Sequence, residues 1–126
     1  MTCIVGLLDN NKVYIGGDSA GVSDNLIRIR SDEKVFKVGK VIFGFTSSFR
    51  MGQILRYTFK VPKQSKGVDD FEYMVTNFVQ AIKKCFEVGG FGSMTEGGCF
   101  LVGYKRKLYR IDNDYQSIQG ITLAVG

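Results

Sequence analysis

Short runs of apolar residues, separated by turn residues, dominate the first third of the chain. Residues 3–8 and 13–17 predict two strands around a turn at 9–12, so the chain opens with a hairpin. Three further short stretches, each rich in β-branched or aromatic residues, predict strands: 26–30, 34–38 and 41–46. The first third of the chain is therefore expected to form sheet.

After Ser48 the apolar residues recur at the three- and four-residue spacing of an α-helix. One predicted helix ends before Pro62 and places four apolar residues on one face: Met51, Ile54, Leu55 and Phe59. Asp69 and Asp70 then begin a second predicted helix, because the partial positive charge of a helix N-terminus favours carboxylates. Its apolar face is expected to be buried and to end at Gly89 and Gly90: Phe71, Met74, Val75, Phe78, Ile82, Cys85 and Phe86.

Strands resume after a glycine-rich connection at 89–98, which lacks the spacing of a phosphate-binding loop. Apolar stretches predict strands at 99–103, 108–111 and 121–125. The order of strands, two helices and strands predicts one α+β domain over residues 1–126, built from antiparallel sheets.

The composition excludes several kinds of catalytic site. The chain has no histidine, so Ser-His-Asp and Cys-His catalysis and histidine-containing zinc sites are excluded. Cys3, Cys85 and Cys99 are scattered and are interpreted as buried free thiols. We expect neither a metal nor a cofactor.

Basic residues outnumber acidic ones, 17 to 12, which gives a net charge of +5. The densest basic run, residues 104–110, interleaves aromatic and cationic side chains as some platforms for single-stranded nucleic acid do. We favour a hairpin turn at 105–107 and do not expect nucleic-acid binding. Neither a signal peptide nor a membrane span is indicated, so we expect a cytoplasmic protein.

Three polar residues near the front of the chain form a candidate site. A hairpin register that pairs Leu8 with Lys12 also pairs Thr2 with Asp18 and places both side chains on one face. Lys34 alternates with Phe36 and Val38, so its ammonium would lie on an apolar face and need a carboxylate partner. Asp18 is the natural candidate for that partner.

A hydroxyl nucleophile without histidine needs another base. Removal of Met1 would give Thr2 a free α-amine, whose ordinary pKa of about 7.7 to 8.0 suits that role. Lys34 would favour the unprotonated amine, Asp18 would orient Lys34, and the backbone amide of Ser47 would stabilise the oxyanion. The alternative is that Thr2 is incidental, Asp18 a turn residue and Lys34 an exposed strand lysine.

The chain resembles proteasome β-type subunits, and most closely the HslV-like peptidases of the N-terminal nucleophile (Ntn) hydrolase family. Asp18 and Lys34 lie 16 and 32 positions after Thr2, which matches the spacing of the catalytic threonine, aspartate and lysine in the family. Four stretches carry the resemblance: residues 2–6, 16–19, 34–35 and 44–48. By resemblance, Thr2, Asp18, Lys34 and Ser47 are the catalytic residues.

The resemblance implies an αββα sandwich and a threonine endopeptidase that hydrolyses unfolded polypeptides inside a homo-oligomeric ring, with an ATP-dependent unfoldase as a further partner. Family members continue beyond the segment that resembles residues 124–126. The second helical layer is therefore expected to be missing, as in a truncated sandwich. The alternative function is a non-catalytic structural or assembly subunit, inactive while Met1 is retained because an amide nitrogen cannot act as a base.

Overall fold

The computed structural model describes residues 3–23, 26–29, 31, 33–46, 48–91 and 98–126. These residues form ten strands, three α-helices and one π-helical segment. In chain order they are β1 (Ile4–Asp9), β2 (Lys12–Gly17), β3 (Ala20–Ser23), β4 (Leu26–Ile29), β5 (Val35–Val38), β6 (Val41–Phe45), α1 (Phe49–Thr58), α2 (Asp70–Tyr73), the π-helical segment (Met74–Phe78), α3 (Val79–Val88), β7 (Phe100–Tyr104), β8 (Lys107–Ile111), β9 (Ser117–Gly120) and β10 (Thr122–Val125).

The strands form three antiparallel sheets. Their orders are β10-β1-β2, β3-β4 and β5-β6-β7-β8-β9. The predicted α+β class with antiparallel sheets is therefore confirmed. Strands β3 and β9 were not predicted, because glycine and serine, which are unfavourable in strands, make up much of both segments.

The five-stranded sheet lies between the helices and the three-stranded sheet. One of its faces packs against the helices in a single apolar cluster, whose fully buried members include Phe43, Met51, Phe78, Ile82 and Phe100. The predicted buried face of the first helix is confirmed, since its four apolar residues all belong to this cluster.

The second face of the five-stranded sheet packs closely on β1 and β2. Glycines allow the approach: a Cβ atom at Gly44 would lie 2.6 Å from Ile4 and 2.7 Å from Ile15. Ile4 is completely buried there, beside Leu101. The two stacked sheets therefore share a second, smaller core.

The outer face of the three-stranded sheet is open. Val5, Leu7 and Tyr14 are 52%, 46% and 54% exposed. The buried side chains of the described helices belong only to the cluster on the five-stranded sheet. In the described part of the chain, helices thus cover one side of the sandwich, which confirms the expectation of a single helical layer. No helix described here is long and apolar enough to span a membrane.

The first hairpin has a different register from the one predicted. Asn10 and Asn11 both adopt positive φ, 49° and 62°, as in the two-residue type I′ turn that suits hairpin twist. Asp9 therefore pairs with Lys12, and Ile4 with Gly17. The predicted pairing of Leu8 with Lys12 is wrong by one residue, since Leu8 pairs with Val13. Cys3 lies level with Asp18, and the predicted pairing of Thr2 lies outside the described residues.

The second helical region departs from a regular α-helix. Its middle turn, Met74–Phe78, is π-helical and adds a residue to the ordinary repeat. Two pairs of buried residues are accordingly five positions apart, Tyr73 with Phe78 and Met74 with Val79. Phe71 and Val75 are 42% and 39% exposed, so their predicted burial is wrong. The predicted burial of the cysteines is wrong as well, since Cys3 is exposed and Cys85 and Cys99 are half-buried.

The basic run is a hairpin turn, as predicted. Lys105 and Arg106 occupy the turn between β7 and β8 with φ of 46° and 63°. Tyr104 and Tyr109 are buried in the apolar core, so neither ring is available to stack on a nucleic-acid base.

Candidate active site

Stacking of the two sheets brings the end of β2 next to the start of β5. Asp18 follows β2 directly, and Lys34 directly precedes β5. Gly17 packs beside both neighbours, because a Cβ atom there would overlap the end of the Ile4 side chain on the paired strand and lie 3.4 Å from Val35 of β5. The residue before Asp18 and the residue after Lys34 therefore lie next to each other.

Lys34 is a buried cation with a carboxylate partner. The residue is 2% exposed, and its Nζ donates a hydrogen bond to Asp18 Oδ1 within an ion pair. The Asp18 side chain itself is 39% exposed. The hydrogen bond from Lys34 is the main reason that the pKa of Asp18 lies below its ordinary value.

Asp18 is also tied to the beginning of β1. The backbone N–H of Cys3 donates to Asp18 Oδ2 at 3.3 Å, and the backbone N–H of Asp18 donates to the carbonyl of Cys3 at 3.3 Å. The carboxylate thus bridges Lys34 and the residue that follows Thr2. Thr2 itself lies outside the described residues, so its role as nucleophile stays a prediction.

The start of α1 closes another side of the site. Phe45 N–H donates to the carbonyl of Lys34 at 3.0 Å, and Lys34 Nζ lies 5.5 Å from the centre of the Phe49 ring. Ser48 caps α1, with its Oγ accepting hydrogen bonds from Arg50 N at 3.1 Å and Met51 N at 3.3 Å. These contacts fix the first turn of α1 relative to the lysine.

Thr46 anchors the segment between β6 and α1. Its backbone N–H and its Oγ1 both donate to the carbonyl of Cys99, each at 3.0 Å. Ser47, the predicted oxyanion residue, lies outside the described residues and stays a prediction. Sequence reasoning did not identify the anchoring role of Thr46, whose partner is 53 residues away. The N-cap function of Ser48 was recognisable from a serine directly before a helical period.

A cleft of about 250 Å³ opens over the ion pair. Its polar lining consists of Asp18, Ser19, Ser31, Glu33 and Lys34. Among the described residues, no group of histidine, cysteine or acidic side chains could hold a metal ion. A buried ammonium beside an open cleft can favour the deprotonated form of a neighbouring amine or hydroxyl.

Comparison with known proteins gives a fold but no close relative in sequence. No family model matches the chain, and no curated protein matches it. Among solved structures, BPH from Thiobacillus denitrificans in complex with epoxomicin aligns with a TM-score of 0.79 at 12% identity, over 98% of this chain and 71% of that one.

Two further structures have the same fold. HslV from Trypanosoma brucei aligns with a TM-score of 0.67 at 16% identity, over 98% of this chain and 71% of that one. The Anbu complex from Pseudomonas aeruginosa, described as a helical assembly, aligns with a TM-score of 0.62 at 14% identity, over 98% and 60%. The chain therefore has the Ntn fold of proteasome β-type subunits and HslV-like peptidases.

Proposed function

We propose that this chain is a threonine-type peptidase subunit that hydrolyses unfolded polypeptides within a self-assembled, cytoplasmic ring. The observation that carries the proposal is the buried Lys34, paired with Asp18, whose carboxylate also accepts a hydrogen bond from the backbone of Cys3. The fold supports the same class of activity, since HslV shares it.

The proposed reaction needs Met1 to be removed, so that Thr2 carries a free amine. The Thr2 hydroxyl oxygen attacks the carbonyl carbon of the peptide bond, and the amine accepts the hydroxyl proton. Lys34 lowers the proton affinity of that amine by charge repulsion, and Asp18 fixes the position of Lys34. The backbone amide of Ser47 stabilises the negative oxygen of the tetrahedral intermediate.

The intermediate collapses as the carbon–nitrogen bond breaks. The leaving amine takes the proton from the Thr2 amine, and an ester joins the acyl group to Thr2. Water then adds to the ester, and release of the acid restores the Thr2 hydroxyl. No step requires a metal or a cofactor.

The test combines intact mass with cleavage of an unstructured fluorogenic peptide. A protein that lacks Met1 should cleave the peptide, and Thr2→Ala should abolish cleavage while the thermal unfolding temperature stays the same. Thr122→Ala, at an exposed threonine of β10, is the matched control and should retain activity. Cleavage that survives Thr2→Ala would contradict the proposal.

We also propose binding partners for this chain from the solved structures that share its fold. The BPH structure contains epoxomicin, so we expect epoxomicin to bind this chain after removal of Met1. The Anbu relative is a helical assembly, and this chain is likewise proposed to assemble with copies of itself. An ATP-dependent unfoldase would deliver extended substrate to the ring.

A non-catalytic assembly subunit is the second candidate function. The exposed apolar residues Val5, Leu7 and Tyr14 on the outer sheet face favour an assembly role. Oligomers that retain Met1 and do not bind epoxomicin would support this alternative, whereas cleavage lost in Thr2→Ala would exclude it.

A further inference from the structure

Strand β5 forms one edge of the five-stranded sheet. In the described part of the chain it pairs with β6 alone. The carbonyl of Lys34 accepts a hydrogen bond from Phe45 of β6, and backbone groups alternate in direction along an antiparallel strand. Phe36 and Val38 therefore point their backbone groups toward β6. Val35 and Lys37 point theirs away from the sheet.

A groove of about 490 Å³ follows this free edge. Val13, Ile15 and Ile42 line it from the side of the three-stranded sheet, whereas Phe36 and Arg56 line it from the side of the helices. Because residues from both faces of the sheet contribute, the groove lies over the edge of β5 itself.

The groove continues into the cleft above the ion pair. Ile15, Glu33 and Val35 line both cavities. We propose that an extended segment of the substrate polypeptide adds to β5 as a sixth strand and thereby leads the chain to Asp18 and Lys34. This inference rests on the proposed peptidase function and names the binding surface for its substrate.

The groove selects the side chains of the bound segment. Side chains of an added strand alternate between the two faces of the sheet. One set would contact the apolar floor formed by Val13, Ile15 and Ile42. The other set would face Arg56, an exposed cation whose guanidinium carbon lies 5.8 Å from the centre of the Phe36 ring. Lys37 and Glu33 also line the groove, so its charged lining consists of two cations and one carboxylate. The preferred segment therefore alternates apolar and acidic residues.

The first experiment measures binding by fluorescence anisotropy, using the full chain and a fluorescein-labelled octapeptide of alternating valine and glutamate. Replacing glutamate with lysine in the peptide should weaken binding about ten-fold, because Arg56 would then face a like charge. N-methylation of the peptide amides that face β5 should weaken it by about the same factor, because two or three backbone hydrogen bonds are lost. Equal binding of all three peptides would overturn the proposal.

Two pairs of variants test the protein side. Lys37→Pro removes an N–H that points away from β6, whereas Lys37→Ala keeps it. We expect about ten-fold weaker binding for the proline variant and a change within about two-fold for the alanine variant. Arg56→Glu should reverse the preference between the glutamate and lysine peptides. Lys84→Glu, the same charge change at an exposed residue of α3, should leave the preference unchanged.

The outcomes separate this inference from the peptidase proposal. Binding with the expected preferences but without cleavage would contradict the peptidase function and support the groove as a binding site for polypeptides. Cleavage that neither Lys37→Pro nor Arg56→Glu affects would contradict substrate binding in the groove and support the peptidase function. Self-association seen by sedimentation and abolished by Lys37→Pro, without peptide binding, would also overturn the inference.

Discussion

Two lysine–aspartate pairs hold opposite parts of the molecule, and they differ in the burial of the lysine. The Lys34 side chain is 1% exposed beside Asp18. The Lys107 side chain is 41% exposed beside Asp70, with Nζ 2.6 Å from Oδ2. In each pair, the hydrogen bond from the lysine is the main reason that the pKa of the aspartate lies below its ordinary value.

The second pair belongs to a polar network that holds the connection between α1 and α2. Gln64 Nε2 donates to Asp70 Oδ1 at 3.0 Å. Its Oε1 accepts hydrogen bonds from Tyr104 Oη and Lys105 Nζ, both at 2.8 Å. The network therefore links the α1–α2 connection to the β7–β8 hairpin through several hydrogen bonds, so no single one of them carries the whole attachment.

The difference in burial predicts how much each pair contributes. An exposed lysine beside an aspartate gains little free energy, because water screens both charges. A buried ammonium is costly unless it is paired, so loss of one partner is expected to cost more in the Lys34 pair, which is also the pair proposed to act in catalysis. The following variants test this distinction.

The largest effect is expected from Lys34→Met, which keeps most of the side-chain volume and removes the charge. Loss of the ammonium should lower kcat for peptide cleavage at least about 100-fold, since general acid–base assistance contributes that much or more. Lys107→Met makes the same change in the other pair and should retain activity. Equal activity of the two variants would contradict the assignment of Lys34.

Asp18→Asn should destabilise the protein more than any change in the second network. The amide accepts a weaker hydrogen bond from Lys34 and removes the negative charge beside its buried ammonium, which costs about 2 kcal/mol after allowance for the partial exposure of Asp18. Urea denaturation at pH 7 measures the loss. An unchanged midpoint would show that the pair is not needed for stability.

Asp70→Asn should lower the free energy of unfolding by less than about 1 kcal/mol, because its lysine partners are solvent-exposed. The same urea titration, run alongside Asp18→Asn, gives the comparison directly. Peptide cleavage should be unaffected. A larger loss for Asp70→Asn than for Asp18→Asn would reverse the ranking of the two pairs.

The smallest expected effect is on the pH dependence of stability. The pKa of both aspartates is lower in the folded chain than the ordinary value of 3.8. Their stabilisation is therefore complete above that value and is lost as the pH falls through the lowered folded-state pKa. Combining Asp18→Asn with Asp70→Asn should flatten the acid limb of the unfolding curve below about pH 4. If stability falls as steeply below about pH 4 in the double variant as in the parent protein, other carboxylates cause the loss of stability in acid.

The sequence was most informative where a period was regular. Alternation along β5 correctly indicated that Lys34 faces an apolar region and needs Asp18. The helical period correctly indicated the buried face of α1. Both features depend on local geometry that repeats over several residues, so a single sequence is enough to recognise them.

Other features depend on contacts that the sequence does not display. Asp9 to Lys12 can close a hairpin in more than one register, and only the positive φ of Asn10 and Asn11 selects the observed one. The π-helical turn at Met74–Phe78 contains neither proline nor glycine that would signal it. Thr46 acts through a carbonyl 53 residues away. The roles of Thr2 and Ser47 stay predictions.

Gly44 has a consequence for how the candidate site could be altered during evolution. Its missing side chain leaves room for the facing sheet, because a Cβ atom there would lie 2.6 Å from Ile4 and 2.7 Å from Ile15. Alanine at this position would leave every charged group in place and yet force the two sheets to shift against each other. A descendant with that one methyl group would keep Asp18 and Lys34 in its sequence while the sheets that carry them repack. An inventory of charged residues would not detect the change.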